Sequence, residues 1–298
     1  MPSSMSVWVN FLGAEIKFVQ GKKYRTHIAE AGQGHPDSLV MIHGGGGHLE
    51  TFAFNVVPLS KYFHVVAMEA LWHGLSDAPP IEDDRAGQVA NQILDLMDAM
   101  GLQKVWLHGE ALGASSVTHL ALNHPDRLKG VILESGSGVA FKEGTIKPSL
   151  PPVGGIPMGE RTLQLLKDPT WEGVRARLLM VMHNQHPERV TDELVDIRLA
   201  HYSRPSTNEA QTRYYSTSPA AIQRGPSEEV VSKISLPVLL VWCDGSGGAG
   251  PDAGERLASL IPGAQFRLLP ETGYWAHWEK PDEFNEAVRQ FIQGEIVV

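Results

Sequence analysis

The stretch VWLHGEALGAS, residues 105–115, constrains the fold more than any other part of this chain. An apolar, β-branched run ends in a glycine, a tight turn follows, and a second glycine opens a helical pattern. That is the layout of the nucleophile elbow G-x-S-x-G, where a strand delivers one residue to a sharp turn and a helix leads away. The frame Gly109-Glu110-Ala111-Leu112-Gly113 puts Ala111, which has no nucleophilic atom, where such an elbow holds serine.

The rest of the chain repeats the strand-then-helix rhythm. Apolar runs at 39–44, 63–70, 104–109, 130–135, 237–243 and 264–271 read as buried strands of a parallel sheet covered on both faces. Between them, residues 86–101 carry Val89, Ile93, Leu96, Met97 and Met100 at helical spacing, and Gly101 stops the run. Residues 112–125 and 281–293 behave likewise. The alternation predicts an α/β fold with a mostly parallel, doubly wound sheet. The pattern breaks over 138–226, where a Gly/Pro-rich stretch precedes four helical runs and no strand signal appears. The expected organisation is a core of 1–137 and 227–298 with a helical cap, 138–226, roofing the carboxyl ends of the strands.

At 298 residues the chain is long enough for such a core. A net charge of −9, without a basic run, argues against a nucleic-acid partner. Cys243 is the only cysteine, so neither a disulfide framework nor a cysteine-based metal site is expected. His and Glu never fall at H-E-x-x-H spacing, so no metal or other cofactor is expected. No apolar run approaches the length of a membrane span, and the first residues, MPSSMSVWVN, do not read as a secretion signal. A cytoplasmic protein acting on a small molecule is the expectation, with a homodimer among the assemblies open to it.

The run MIHGGGGH, residues 41–48, follows a strand and holds four consecutive glycines. Without Cβ atoms, backbone N–H groups can converge on a ligand oxygen. Beside an elbow this reads as an oxyanion loop, with Gly44, Gly45 and Gly46 acting together with the Leu112 amide.

With these residues in view, nearly the whole chain resembles the α/β-hydrolase fold, and more narrowly the meta-cleavage-product C–C bond hydrolases. The resemblance rests on HGGGGHLETFAFNVVPLSKYFHVVAMEALWHGLSDAP, LHGEALGAS, RVTDELVDIRLAHYSRP and GYWAHWEKPDEFNEAVRQFI. It implies serine at position 111, aspartate near position 246 and histidine in a GHW-x-x-WE segment. This chain has Ala111, Ser246 and Tyr274 there, so all three triad positions differ. A D-x-x-GHG segment reads EALWHG, with Glu69 and Trp72 as replacements. The resemblance also implies that Arg198 holds a substrate carboxylate, a task suited to a bidentate guanidinium.

Other groups remain for chemistry. Glu110 precedes the elbow position, and burial under a cap would raise its pKa towards general acid/base work. Glu134 ends the 130–135 strand, where some members of the fold carry the triad acid. Tyr274 offers a phenol as hydrogen-bond donor, and His277 lies three residues further on. His43, Glu69, Trp72, His73 and Trp275 are expected around the substrate. Because triad members act as a unit, loss of all three suggests abandoned serine chemistry. The leading expectation is therefore a nonhydrolytic enzyme, a lyase, decarboxylase, isomerase or cyclase, acting on an aromatic or enolisable carbonyl compound. Two alternatives stand beside it: a C–C bond or ester hydrolase disabled at Ala111, and a ligand-binding protein without turnover.

Overall fold

The apolar runs assemble into one eight-stranded sheet in the computed structural model, which describes residues 6–147, 156–216, 225–245 and 250–297. The strands are β1 (Glu15–Gln20), β2 (Arg25–Ala31), β3 (Ser38–Ile42), β4 (His64–Met68), β5 (Val105–Glu110), β6 (Leu128–Glu134), β7 (Val238–Cys243) and β8 (Gln265–Leu269). Their order across the sheet is β1-β2-β4-β3-β5-β6-β7-β8. Pairing is parallel from β4 through β8, and antiparallel where β2 meets β4 and β1.

All six expected strands form, and β1 and β2 are additional. Apolar continuity could not reveal them, because β2 buries polar side chains that bring their own partners. Glu30 accepts from Lys17 and His64, each at 2.6 Å. β1, at the sheet edge, leaves most of its side chains exposed or half-buried.

The helices are α1 (Val56–Leu59), α2 (Arg85–Ala99), α3 (Leu112–Asn123), α4 (Met158–Lys167), α5 (Trp171–Leu179), α6 (Asp192–Ser203), α7 (Pro205–Ser216), α8 (Glu228–Val231), α9 (Pro251–Leu260), α10 (Ala276–Glu279) and α11 (Pro281–Ile292). Asp84 caps α2 by accepting the Gly87 amide at 2.8 Å. Beyond its end Gly101 takes φ +71°, while Leu102 donates to the Met97 carbonyl. Successive strand residues feed opposite faces: Met41 packs with Phe284 and Val288 on one side, Val40 with Ile93 and Val117 on the other. Both faces of the sheet are thus covered, as parallel strands require.

After β6 the chain leaves the sheet for α4 to α7 and returns through α8 to β7. No helix among the described residues is long and apolar enough to cross a membrane.

Candidate active site

Strand β5 ends at Glu110 and α3 begins at Leu112, so the whole reversal falls on Ala111, which adopts φ 46° and ψ −107°. An L-residue there is strained by about 1–3 kcal/mol, and persists only where its surroundings dictate the backbone. The surroundings do so. A Cβ on Gly113 would come within 2.7 Å of the His43 carbonyl oxygen, and one on Gly109 within 2.6 Å of Val117. The glycines flanking the turn therefore let α3 lie directly against β3 and β5. Gly136 presses on Ala111 from the other side, where a Cβ would stand 2.9 Å from its Cα. Ala111 also donates its amide to the Glu134 carbonyl at 2.8 Å.

A cavity of about 990 Å³ opens above Ala111, at the carboxyl ends of the strands. Its wall includes the glycine loop, Glu110, Leu112, Tyr274 and Trp275. Three of the four described non-glycine residues with positive φ, namely Trp72, Ala111 and Ser135, line it as well. Strain is concentrated at this site, as is common where function constrains the backbone.

The glycine run is less open than its sequence implies. The Gly44 amide donates to Glu110 Oε2 at 2.5 Å, the Gly46 amide to His73 Nε2 at 3.1 Å, and the Gly47 amide to the Gly44 carbonyl. Of the three glycines expected to bind an oxyanion, only Gly45 keeps an amide without an acceptor among the described residues. Gly45 and Leu112, the latter at the first turn of α3, both border the cavity.

The histidines around the loop hold it in place. His43 donates from Nδ1 to the Gly44 carbonyl and accepts the Ala70 amide at Nε2. His73 donates from Nδ1 to the Leu71 carbonyl while accepting from Gly46. Burial pushes the pKa of His43 well down and that of His73 to about 4, so both are neutral near pH 7. Glu69 is buried behind the loop, accepting the Leu49 and Leu75 amides and pairing with His27. Arg198, from α6, donates to the Gly46 carbonyl and pairs with Glu50 at 2.8 Å. Its guanidinium lies 5.5 Å from the Trp275 ring centre. Neither Glu69 nor Arg198 lines the cavity.

Glu110 and Glu134 sit side by side in register on β5 and β6. Burial first, then the neighbouring Glu134 charge, raises the Glu110 carboxyl well above the ordinary range. It lines the cavity, and burial there favours its protonated form. Burial would raise Glu134 too, but His277 and His108 outweigh it and hold its carboxyl at about 2. The His277 backbone N–H (3.0 Å), His277 Nδ1 (2.9 Å) and His108 Nε2 (2.9 Å) all donate to it. This buried cluster lies outside the cavity wall, and its His108 was not among the residues singled out from sequence. Tyr274 does line the cavity, and burial pushes its phenol to about 12. It is a hydrogen-bond donor at neutral pH. Ser246 lies outside the described residues.

Two cavity groups escaped sequence reading, Arg177 on α5 and Tyr215 on α7. In WEGVRARLL nothing distinguishes Arg177 from Arg175, since both sit in an ordinary amphipathic run. Only the packing of the helix shows which one is buried.

With this geometry in place the comparisons can be read. Residues 37–281 match the α/β hydrolase fold family, and the chain belongs to it. Among its relatives, the 2-hydroxy-6-oxo-6-phenylhexa-2,4-dienoate hydrolase of Burkholderia cepacia is 27% identical over 273 residues, 90% of this chain and 91% of that protein. A 2-hydroxy-6-oxononadienedioate/2-hydroxy-6-oxononatrienedioate hydrolase of Escherichia coli O81 (strain ED1a) is 28% identical over 297 residues, 98% of each chain. Among solved structures, a meta-cleavage product hydrolase from Pseudomonas fluorescens IP01 was determined as a serine-to-alanine mutant with acetates. It superposes with a TM-score of 0.78 at 21% identity, covering 95% of this chain and 99% of that one.

These findings overturn the expectation of nonhydrolytic, lyase-type chemistry: the relatives that span nearly the whole chain are hydrolases. The physical reason is plain. A missing serine oxygen shows which atom the site lacks, but carries no information about the reaction for which the remaining cavity is shaped.

Proposed function

We propose that this chain is a hydrolase of the C–C bond or ester type in which Ala111 occupies the nucleophile position, leaving a binding site without its attacking oxygen. The observation that carries this reading is the backbone of Ala111. It keeps the strained elbow conformation, under a cavity that Gly45 and Leu112 also border, although alanine draws no benefit from it. The substrate class is a 2-hydroxy-6-oxo-dienoate or a related keto acid, by analogy with the relatives named above. Its carbonyl oxygen would sit against the Gly45 and Leu112 amides, the position where developing negative charge is best stabilised. The Tyr274 phenol, protonated at neutral pH, and the Glu110 carboxyl, which burial pushes towards its protonated form, would donate hydrogen bonds around it. Residues 138–226 would close over the substrate as a cap and exclude water.

The test restores two of the three changed groups, the nucleophile and the histidine. Ala111→Ser combined with Tyr274→His is expected to hydrolyse p-nitrophenyl acetate, or a 2-hydroxy-6-oxo-dienoate, at least ~100-fold above the unmodified chain, consistent with what one activated nucleophile contributes. Ala111→Ser alone should recover less, because Tyr274 cannot accept the serine proton. A double variant that folds, shows an unchanged melting curve and remains inert would overturn the reading.

A further inference from the structure

We infer that Arg177 is the anchor for an anionic group of the ligand, in place of Arg198, and that the cavity selects a carboxylate-bearing compound through it. This inference rests on the hydrolase reading above for the identity of the cavity, and names the group that recognises its substrate.

The two arginines stand on neighbouring helices and are both buried, yet their electrostatic situations are opposite. Arg198 has a carboxylate of its own in Glu50 and is closed off from the cavity. Arg177 lines the cavity and meets only uncharged oxygens. Its Nε donates to Thr162 Oγ1 at 3.0 Å, and Nη2 makes a long contact of 3.4 Å to the Gly45 carbonyl. The Tyr215 hydroxyl lies beside it, where a Cβ added to Gly46 would meet Tyr215 Oη at 3.2 Å and Arg177 Nη2 at 3.4 Å. No carboxylate forms an ion pair with Arg177 among the described residues. The residues outside them, 1–5, 148–155, 217–224, 246–249 and 298, include no Asp or Glu to supply one.

A guanidinium held out of water without a counter-charge is costly, and buried charges are ordinarily paired. Glu110 does not fill that role: it forms no ion pair with Arg177, and its Oε2 accepts the Gly44 amide. The natural partner is an anion that arrives with the ligand. A planar carboxylate matches the guanidinium fork. The position is also apt: the same arginine touches the carbonyl of Gly45, the loop residue whose amide has no acceptor among the described residues. An anion on Arg177 and a carbonyl on the Gly45 and Leu112 amides would then belong to one molecule.

The experiment uses the unmodified chain and two isosteric probes, benzoate and benzamide, followed by isothermal titration calorimetry. Benzoate is expected to bind at least tenfold tighter than benzamide. Arg177→Gln should reduce benzoate affinity tenfold or more and leave benzamide affinity unchanged, and Arg177→Lys should keep part of the preference. A purely structural role would instead weaken both probes equally. Absence of a benzoate preference in the unmodified chain, or its survival in Arg177→Gln, overturns the assignment. A measurement without any variant guards against a glutamine variant that does not fold: at equal concentration benzoate should raise the melting temperature more than benzamide does, and equal shifts overturn the assignment. None of these readouts requires turnover, so failure of the restored serine variant and failure of the anion anchor are separate results.

Discussion

Glu110 and Glu134 occupy matching positions on adjacent parallel strands, and both are almost fully buried. Their carboxyl pKa values nevertheless shift in opposite directions. Glu134 is surrounded by donors from His277 and His108 and remains ionised. Glu110 has one backbone donor, Gly44, and the charge of Glu134 next door, so its pKa rises. Burial is the same force on both. What differs is the number of donors it must overcome, and that separates a structural ion cluster beneath the elbow from a carboxyl at the cavity wall whose charged form is disfavoured.

Substitution gives the largest expected contrast. Glu134→Gln breaks a fully buried ionic cluster and should cost about 3–5 kcal/mol in urea denaturation. Glu110→Gln removes a carboxyl whose raised pKa costs the folded chain stability above pH 4.5, and should leave the chain at least as stable as the unmodified one at pH 7. Equal costs for the two variants would break the comparison.

The pH dependence of stability should divide in the same way. Glu134 titrates near 2 when folded against 4.5 when free, so the unfolded chain binds the extra proton between those values. Its contribution, on the order of 3 kcal/mol, is complete above about pH 4.5 and is lost as the pH falls towards 2. Glu110 works in the other direction. Its folded pKa lies above 4.5, so the folded chain binds the extra proton and stability declines as the pH rises from 4.5 through that pKa. Melting temperatures recorded from pH 2 to 9 should lose the acid limb in Glu134→Gln and the rising-pH decline in Glu110→Gln. A single variant that removed both slopes would show the two groups titrating as one.

The smallest effect concerns the one bond that anchors Glu110. A Cβ on Gly44 would lie 2.3 Å from Glu110 Oε2, so Gly44→Ala must displace the carboxyl from its amide donor. The side-chain end can move, and the expected loss is about 1 kcal/mol, one hydrogen bond. The acid limb owed to Glu134 should stay in place, which would sharpen the separation of the two groups.

Much of the architecture was legible in the chain because parallel strands buried on both faces must be continuously apolar. The runs at 39–44, 104–109 and 237–243 declared themselves in that way. The β1–β2 hairpin did not, since Glu30 is buried through pairing with Lys17 and His64 on other segments. The site divides similarly. Gly109 and Gly113 mark the elbow in any reading, because helix and strand cannot approach without them. The engagement of the Gly44 and Gly46 amides, which leaves Gly45 open, depends on Glu110 and His73 arriving from distant positions. Arg198 stood out by resemblance and Arg177 by nothing in its local sequence, yet Arg177 is the one that lines the cavity.

The sequence by itself determined the strand-turn-helix elbow, the glycine loop and the absence of an attacking oxygen at position 111. Those features follow from local sterics and from which atoms each residue has, and neither depends on distant partners. Only the tertiary structure decided which carboxylate is ionised, which arginine is unpaired and which amides remain free. Each of these depends on what lies within a few ångströms across the fold, where burial strengthens every charge and leaves no water to mask a missing partner.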